Sequence, residues 1–190
     1  MRIISGIYRS RLLKFPKNNP HLRPTRDMVR EALFSMMEQG QGALQDCAFL
    51  DCFAGVGAAG LEAFSRGAQQ VIFIEKYPQY IYENLKVLDL DKNESLKVIA
   101  LPFEKALSQI ADHSIDFIFA DPPYEKEIAR RSLSLLLNSS ILKEEGLLYF
   151  EHEGVFEIPE EFQKQMLKQK KYGRTMISVF KAKSEGKPNE

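Results

Sequence analysis

A carboxylate, two prolines and an aromatic ring follow a run of strand-forming residues in the segment FADPPY, residues 119–124. Proline lacks a backbone N–H, so a central strand cannot continue through Pro122 and Pro123, and nearby carbonyls stay free to accept hydrogen bonds. The Asp121 carboxylate and the Pro122 carbonyl suit the two N–H groups of an exocyclic nucleobase amine, and Tyr124 suits stacking on the base. The segment indicates activation of such an amine, and a strand-ending turn with a capping Asp is the structural alternative.

A second constellation is the glycine-rich stretch LDCFAGVGAAGLEA, which places Gly55, Gly57 and Gly60 between an expected strand and an expected helix. Glu75 ends the next expected strand about twenty residues after Gly55. This pattern is typical of a nucleotide-binding turn, with an acid for the ribose hydroxyls. The pattern alone does not distinguish NAD from S-adenosylmethionine (AdoMet), because both contain adenosine, and a purely structural glycine turn is a third possibility.

Two carboxylates near this loop favour AdoMet over NAD. Asp51, at the end of the strand, suits the ammonium of the methionine part, whereas the pyrophosphate of NAD would be repelled there. Glu62 lies close to the helix N-terminus, where a pyrophosphate would otherwise bind. A carboxylate that bonds loop N–H groups is the structural alternative for Asp51.

The elements that must position these residues alternate from residue 47 onward, which predicts an α/β fold with a mostly parallel, doubly wound sheet. Strands are expected at CAFLDCF, QVIFIE, SLKVIAL, IDFIFA, GLLYFEHE and TMISVFKA, and helices at GLEAFSRGA, PQYIYENLKVLDLD, FEKALSQI and EIARRSLSLLLN. Because ligands bind at the carboxyl ends of parallel strands, the glycine loop and residues 121–124 are expected to line one crevice.

The first 45 residues break this alternation. RIISG and RSRLLKF are interpreted as two short strands of a hairpin, and RDMVREALFSMM as a docking helix capped by Thr25. The predicted organisation is an N-terminal extension over 1–45, one domain over 46–183 and a disordered tail over 184–190. Arg30 is expected to form no more than a surface ion pair, worth less than ~1 kcal/mol.

The charge of the chain is unevenly distributed. Lys and Arg number 26, as do Asp and Glu, yet residues 1–30 carry eight basic side chains against Asp27 alone. A basic arm on a more acidic body favours binding to a polyanion such as nucleic acid, and a solvated arm is the alternative.

Composition excludes several other classes. No apolar run approaches the ~18 residues that span a bilayer, and the N-terminus lacks the apolar core of a signal peptide, so a cytoplasmic protein is expected. Cys47 and Cys52, five residues apart, should lie buried and unbonded on opposite strand faces. His21, His113 and His152 are scattered, which predicts no bound metal. With 44% hydrophobic residues and no obvious exposed apolar stripe, a monomer is expected.

The motif FADPPY resembles that of amino-group methyltransferases. Together with RIISGIYRSRLLKF, LRPTRDMVREALF and DCFAGVGAAGLEAFSRGA, it makes the chain similar to the bacterial 16S rRNA guanine-N2 methyltransferases, the RsmD family, from Arg2 to about Lys183. The resemblance implies a Rossmann-like AdoMet-dependent methyltransferase fold with a seven-stranded sheet whose last strand is antiparallel. It implies AdoMet as donor and S-adenosylhomocysteine as product. The implied acceptor is N2 of guanine 966 of 16S rRNA, on an assembled small-subunit particle.

The resemblance also implies roles for single residues. The AdoMet-binding residues would be Asp51, Phe53, Ala54, Gly55, Gly57, Gly60, Glu75, Phe103 and Glu104. The amine-binding residues would be Asp121, Pro122, Pro123 and Tyr124, and the RNA-binding residues Arg9, Arg11, Arg23 and Arg26. The chain departs from the family at Val56, often Ser, and at Pro102, where many relatives carry the side chain that reads adenine. Phe103 and Glu104 are therefore assigned that task.

Other functions remain open from the residues. The same four-residue motif suits an adenine-N6 methyltransferase acting on RNA or DNA. A non-catalytic ribosome assembly factor that binds AdoMet belongs to a different class, although two prolines beside a base-sized ring argue against it. An NAD oxidoreductase is the weakest alternative, because no catalytic His or Tyr–Lys pair stands at a matching strand end.

Overall fold

The computed structural model describes residues 1–16, 27–41 and 44–182. The predictions that concern Arg23, Arg26, the cap Thr25 and the tail 184–190 lie outside the described residues. Within the described ranges, no helix is long and apolar enough to cross a membrane.

Helices and strands alternate through most of the chain. In chain order they are α1 (Asp27–Gln41), β1 (Ala48–Cys52), α2 (Ala58–Ser65), β2 (Gln70–Ile74), α3 (Gln79–Val87), β3 (Leu96–Ile99), α4 (Phe103–Leu107), β4 (Ile115–Ala120), α5 (Lys126–Leu137), β5 (Leu142–Glu153), α6 (Glu160–Gln163), β6 (Met166–Tyr172) and β7 (Thr175–Lys181).

The seven strands form one sheet in the order β3-β2-β1-β4-β5-β7-β6. Strands β1, β2 and β3 pair in parallel, as do β4 and β5, whereas β7 is antiparallel to both of its neighbours. The predicted fold class is therefore confirmed. The chain divides into two compact units, Met1–Gln109 and Ile110–Glu190. The domain boundaries expected from the sequence stay predictions.

The first unit is built on β1, β2 and β3. Phe49, Leu50 and Phe73 are fully buried on these strands, consistent with parallel strands whose two faces are both covered. Cys47 and Cys52 are buried and free, as expected. The parallel register pairs Asp51 with Phe73, so the carboxyl ends of β1 and β2 stand side by side.

The second unit is built on β4, β5, β7 and β6. Helix α5, expected from the stretch EIARRSLSLLLN, buries Leu133, Leu136 and Leu137. At the carboxyl end of β4, Ala120 pairs with Phe150 of β5. Strand β5 runs on past that point, pairing with β7 as far as Glu153.

The structure confirms the antiparallel pairing of the predicted N-terminal hairpin but not its two strands. Instead of two strands, residues 1–16 contain a single antiparallel bridge between Arg2 and Leu12 around a run of turns. Two elements were also missed, the short helix α6 and strand β6, whose sequence MLKQKKY exposes most of its residues. Strand β6 lies at the sheet edge, where lysines replace the apolar alternation that identifies a strand and discourage pairing with other chains.

Glu62 holds the N-terminal segment, residues 1–16, against α2. Its side chain is fully buried and accepts hydrogen bonds from the backbone N–H groups of Ile4 at 2.7 Å and Ser5 at 2.9 Å. It also pairs with Arg66 at 2.8 Å and lies 3.8 Å from Arg30. The inference that Glu62 excludes a pyrophosphate is therefore weakened, because its carboxylate is engaged by the N-terminal segment and two arginines.

The expectation of a surface pair at Arg30 is wrong. Its side chain is 1% exposed, donates to the Arg2 carbonyl and bonds Asp27 at 3.1 Å. Burial is the largest effect on its pKa and lowers it, opposed by the carboxylates of Glu62 and Asp27. Arg30 thus joins α1, α2 and the N-terminal segment in one buried ionic cluster.

Candidate active site

The glycine loop, residues 53–57, joins β1 to α2 and contains three residues with a left-handed backbone. Phe53 has φ 60°, Gly55 φ 57° and Gly57 φ 80°. The Gly57 N–H donates to the Ala54 carbonyl at 2.7 Å, which closes the turn. A side chain at the two glycine positions would be strained in this conformation, so the structure explains why glycine occupies them.

Two predicted carboxylates hold this loop through its amides. The buried Asp51 accepts the Gly60 N–H at 2.7 Å, which is the structural role named above as its alternative. Glu75 accepts the Gly55 N–H at 2.9 Å and the Tyr77 N–H at 3.0 Å. Because a carboxylate offers about four acceptor positions, the half-buried Glu75 can bond these amides and still accept from ribose hydroxyls.

The two residues predicted to bind adenine, Phe103 and Glu104, differ in their burial. Phe103, 6% exposed, stacks on Phe53 with ring centroids 4.6 Å apart. Glu104 is exposed in the first turn of α4. The stacked rings bring the glycine loop and the start of α4 together, and the adenine-reading roles of Phe103 and Glu104 stay predictions.

Asn84 is a structural residue that sequence reasoning did not select. It is fully buried on α3 and donates to the Val56 carbonyl at 2.9 Å and the Lys14 carbonyl at 3.2 Å. Its side-chain oxygen accepts the Lys14 N–H at 2.7 Å. The glycine loop and the N-terminal segment thus share one amide, and Val56 contributes its carbonyl to that contact.

We expect Gly60→Ala to lower the free energy of unfolding by about 1–3 kcal/mol. A Cβ at residue 60 would lie 2.3 Å from Cε1 of the Phe73 ring, so the helix or the ring must shift. Urea denaturation measures the effect. Gly154→Ala is the matched control, because its Cβ would meet nothing closer than 3.7 Å. Equal stability of the two variants would show that the α2–β2 contact is looser than described.

The FADPPY segment forms the carboxyl end of β4 and the loop before α5. Asp121 is half-buried, Pro122 buried, and Pro123 exposed, while Tyr124 is 37% exposed. A cavity in this unit is lined by Pro122, Pro123, Tyr124, Lys126, Ala129, Glu151, His152, Glu153, Val155 and Phe156. The prediction that a strand ends here in a proline-fixed loop is confirmed.

Glu151 and His152, at the end of β5, line this cavity and were not selected from the sequence. Their only signal was a pair of titratable residues directly after the apolar run LLYF. His152, 2% exposed, has Nδ1 2.8 Å from the Glu153 carbonyl oxygen and Nε2 2.8 Å from Ser178 Oγ. Because a carbonyl only accepts, Nδ1 carries the proton and Nε2 accepts from Ser178. Burial lowers the pKa of His152, which favours this neutral form.

Burial, with the Asp121 charge as a second cause, raises the pKa of Glu151 from 4.5 to about 9. Between these values the folded protein keeps a proton that the unfolded chain has lost. The stability associated with this group is therefore complete below pH 4.5 and falls by about 1.4 kcal/mol per pH unit as the pH rises towards 9.

We therefore expect Glu151→Gln to match the wild type in stability near pH 4.5 and to exceed it by at least about 2 kcal/mol at pH 8. Urea denaturation at both pH values measures the difference. Glu145→Gln, at an exposed position of the same strand, should show no such pH dependence. A constant difference between wild type and Glu151→Gln would contradict the raised pKa.

The predicted RNA-binding arginines differ in what they contact. Arg9 is exposed in a turn of the N-terminal segment. Arg11 is also exposed but donates to the Val87 carbonyl at 2.7 Å, so it helps to attach this segment to α3. No group of three or more metal-ligating side chains occurs among the described residues. The absence of a metal stays a prediction.

The fold is that of a Rossmann-like methyltransferase. A structure of a hypothetical protein from Thermus thermophilus superposes with a TM-score of 0.78 at 28% identity, covering 96% of this chain and 99% of that one. The ribosomal RNA small subunit methyltransferase D of Escherichia coli K12 is 36% identical over 156 residues, 80% of this chain and 75% of that protein. Its Haemophilus influenzae namesake is 35% identical, over 80% of this chain and 79% of that protein.

The family model described as "Conserved hypothetical protein 95" matches residues 1–181. The chain belongs to this family, which is the RsmD family that its motifs resemble.

Proposed function

We propose that the protein transfers a methyl group from AdoMet to the exocyclic N2 amine of one guanine in 16S rRNA, guanine 966 in the family. The observation that carries the proposal is the proline-fixed loop of residues 121–124 at the carboxyl end of β4. It supplies a half-buried carboxylate, a buried proline and an exposed aromatic ring beside a cavity. The relatives named as small-subunit methyltransferases support the choice of RNA.

The loop is suited to a poor nucleophile. The lone pair of a guanine amine is delocalised into the ring, so the amine needs help to attack. Asp121 and the Pro122 carbonyl each accept one amine N–H, which favours a tetrahedral nitrogen whose lone pair is directed at the methyl group. Tyr124 stacks on the base, a contact worth roughly 1–3 kcal/mol. In a methyl transfer from bound AdoMet, Asp121 or water would accept the proton that the amine nitrogen loses.

The first unit contains the residues that would hold AdoMet. When bound, AdoMet supplies a methyl group on a cationic sulfur. Residues 53–57 form a left-handed turn that lets backbone approach a ligand closely, and Glu75 retains acceptor positions for the ribose. Asp51 is assigned to the methionine ammonium in addition to its bond to Gly60. Phe103 and Glu104 are assigned to adenine.

We assign rRNA binding to the basic N-terminal segment and the residues that follow it, through Arg9, Arg11, Arg23 and Arg26. The substrate is proposed to be the assembled small-subunit particle, and the protein a cytoplasmic monomer without a metal. Residues 1–45 act as the RNA-binding extension of the domain that spans 46–183.

Arg9→Glu should weaken binding to the ribosomal particle about tenfold and reduce the salt dependence of binding by about one unit of slope. Arg9 suits this test because its side chain is exposed and its backbone N–H bonds the Gly6 carbonyl within the same turn. Filter binding at several salt concentrations gives both quantities. Lys92→Glu, an equal charge change at an exposed position, is the control. Equal losses in both variants would point to total charge rather than to the N-terminal segment.

The proposed function is tested in cells. 16S rRNA from a bacterial strain that lacks the family activity should contain no N2-methylguanosine at the target, and expression of this chain should restore it. Mass spectrometry of rRNA fragments measures the modification. Appearance of N6-methyladenosine instead would move the assignment to an adenine methyltransferase. Improved ribosome assembly without any restored methylation would favour an assembly factor.

A further inference from the structure

We propose that the Glu151 carboxyl group reads the Watson–Crick edge of the target guanine, beside the amine acceptors Asp121 and Pro122. This inference rests on the function proposed above and adds a residue that selects the base. It follows from the position of Glu151 in the sheet, its burial and the chemistry of its neighbours.

The sheet register places Glu151 next to Asp121. Ala120 pairs with Phe150, so the following residues of the parallel strands β4 and β5 are Asp121 and Glu151. Neighbouring strands lie about 4.8 Å apart, which is also close to the size of one base edge from the amine to the carbonyl. Both carboxyl groups therefore lie at the carboxyl end of β4, where a base bound to the Pro122 carbonyl would be.

The buried Glu151 side chain has an oxygen atom without a hydrogen-bond partner among the described residues. Its side chain is 3% exposed and lines the cavity formed by residues 122–124. Among the described residues, no hydrogen-bond partner reaches its Oε2 atom. Burying a polar atom without a partner is unfavourable, so a ligand that pairs with this oxygen recovers that cost on binding.

The surroundings favour a protonated Glu151. Five titratable side chains share its cavity or strand end: the carboxylates of Asp121 and Glu153, the neutral His152, the exposed Lys126 and the phenol of Tyr124. Two carboxyl groups this close cannot both ionise cheaply, and the more buried one keeps the proton. Glu151 then carries one O–H donor and one carbonyl acceptor, while Asp121 remains an acceptor for the amine.

A protonated carboxyl group complements guanine better than adenine. With N2 at Asp121 and Pro122, the next groups along the guanine edge are N1–H and O6. The Glu151 carbonyl accepts N1–H and its O–H donates to O6, which makes two bonds. With the N6 amine of adenine in the same place, the next groups are N1 and C2–H, so the carboxyl group makes one bond and an oxygen stays unpaired. Glu151 thus favours guanine.

The test measures methyl transfer to small-subunit particles from cells that lack the activity, using Glu151→Leu, Glu151→Ala and Glu151→Gln. Glutamine offers the same pairing, an amide N–H for O6 and a carbonyl for N1–H. We expect kcat/KM to fall roughly 10- to 100-fold in Glu151→Leu and Glu151→Ala, as for loss of a bidentate base contact. Glu151→Gln should recover most of that loss. Glu145→Gln, exposed on the same strand, is the control.

Each outcome decides one claim. AdoMet affinity, measured by calorimetry, shows whether Glu151→Leu and Glu151→Ala have kept their fold. One folded variant of the two is enough for the test. Near wild-type kcat/KM in such a variant overturns the inference, as does a Glu151→Gln variant that is as impaired as Glu151→Leu. Failure of the wild-type protein to form N2-methylguanosine would instead overturn the proposed function.

Discussion

Asp121→Ala should reduce kcat for methyl transfer by at least about 10²- to 10³-fold. The carboxylate is proposed to accept one amine N–H while the Pro122 carbonyl accepts the other. With one acceptor removed, the amine nitrogen is no longer drawn towards tetrahedral geometry, and its lone pair stays in the base. Single-turnover transfer of labelled methyl groups to the ribosomal particle measures this step separately from product release.

The control for this prediction is Asp116→Ala on β4, the strand that Asp121 follows. Asp116 bonds the exposed Lys143 at 2.7 Å, a surface pair worth about 1 kcal/mol or less. We expect its transfer rate to stay within a few-fold of the wild type. Both variants should bind AdoMet with near wild-type affinity. An Asp121→Ala protein with a near-normal rate would remove Asp121 from the mechanism.

Glu62→Gln should lower the free energy of unfolding by about 3–5 kcal/mol. The buried carboxylate balances Arg30 and Arg66 and accepts two backbone N–H groups of the N-terminal segment. Loss of its charge leaves two arginine side chains, 1% and 9% exposed, without their shared partner. Urea denaturation measures the loss.

Glu38→Gln provides the matched comparison. Glu38 also bonds Arg66, at 2.7 Å, but its side chain is 46% exposed. Water can replace this partner, so we expect a loss of less than ~1 kcal/mol. A similar loss in the two variants would show that the burial of Glu62 adds nothing to stability.

The sheet and both constellations were predictable because their signals are local. Continuous apolar strands, glycines at a positive-φ turn and prolines at a strand end each restrict the backbone by themselves. The positions of Gly55, Gly57 and residues 121–124 followed directly from these restrictions.

The roles of buried charges were not predictable, because they depend on which distant residues share a space. The sequence pattern of α2 does not distinguish Glu62 from an exposed acidic residue, yet the N-terminal segment buries it. Arg30 has the spacing of a surface pair and is buried. Glu151 is separated from Asp121 by thirty residues of sequence, and the register of β4 and β5 alone makes them neighbours. Strand β6 was missed because its lysines interrupt the alternation of apolar and polar residues that identifies a strand.

The central claim is tested most directly by incubating the purified protein with methyl-labelled AdoMet and small-subunit particles from cells that lack the activity, followed by digestion to nucleosides. Label in N2-methylguanosine, absent when Asp121→Ala replaces the wild type, is the predicted result. Label in N6-methyladenosine, or AdoMet binding without any transfer to free rRNA or to particles, would contradict it.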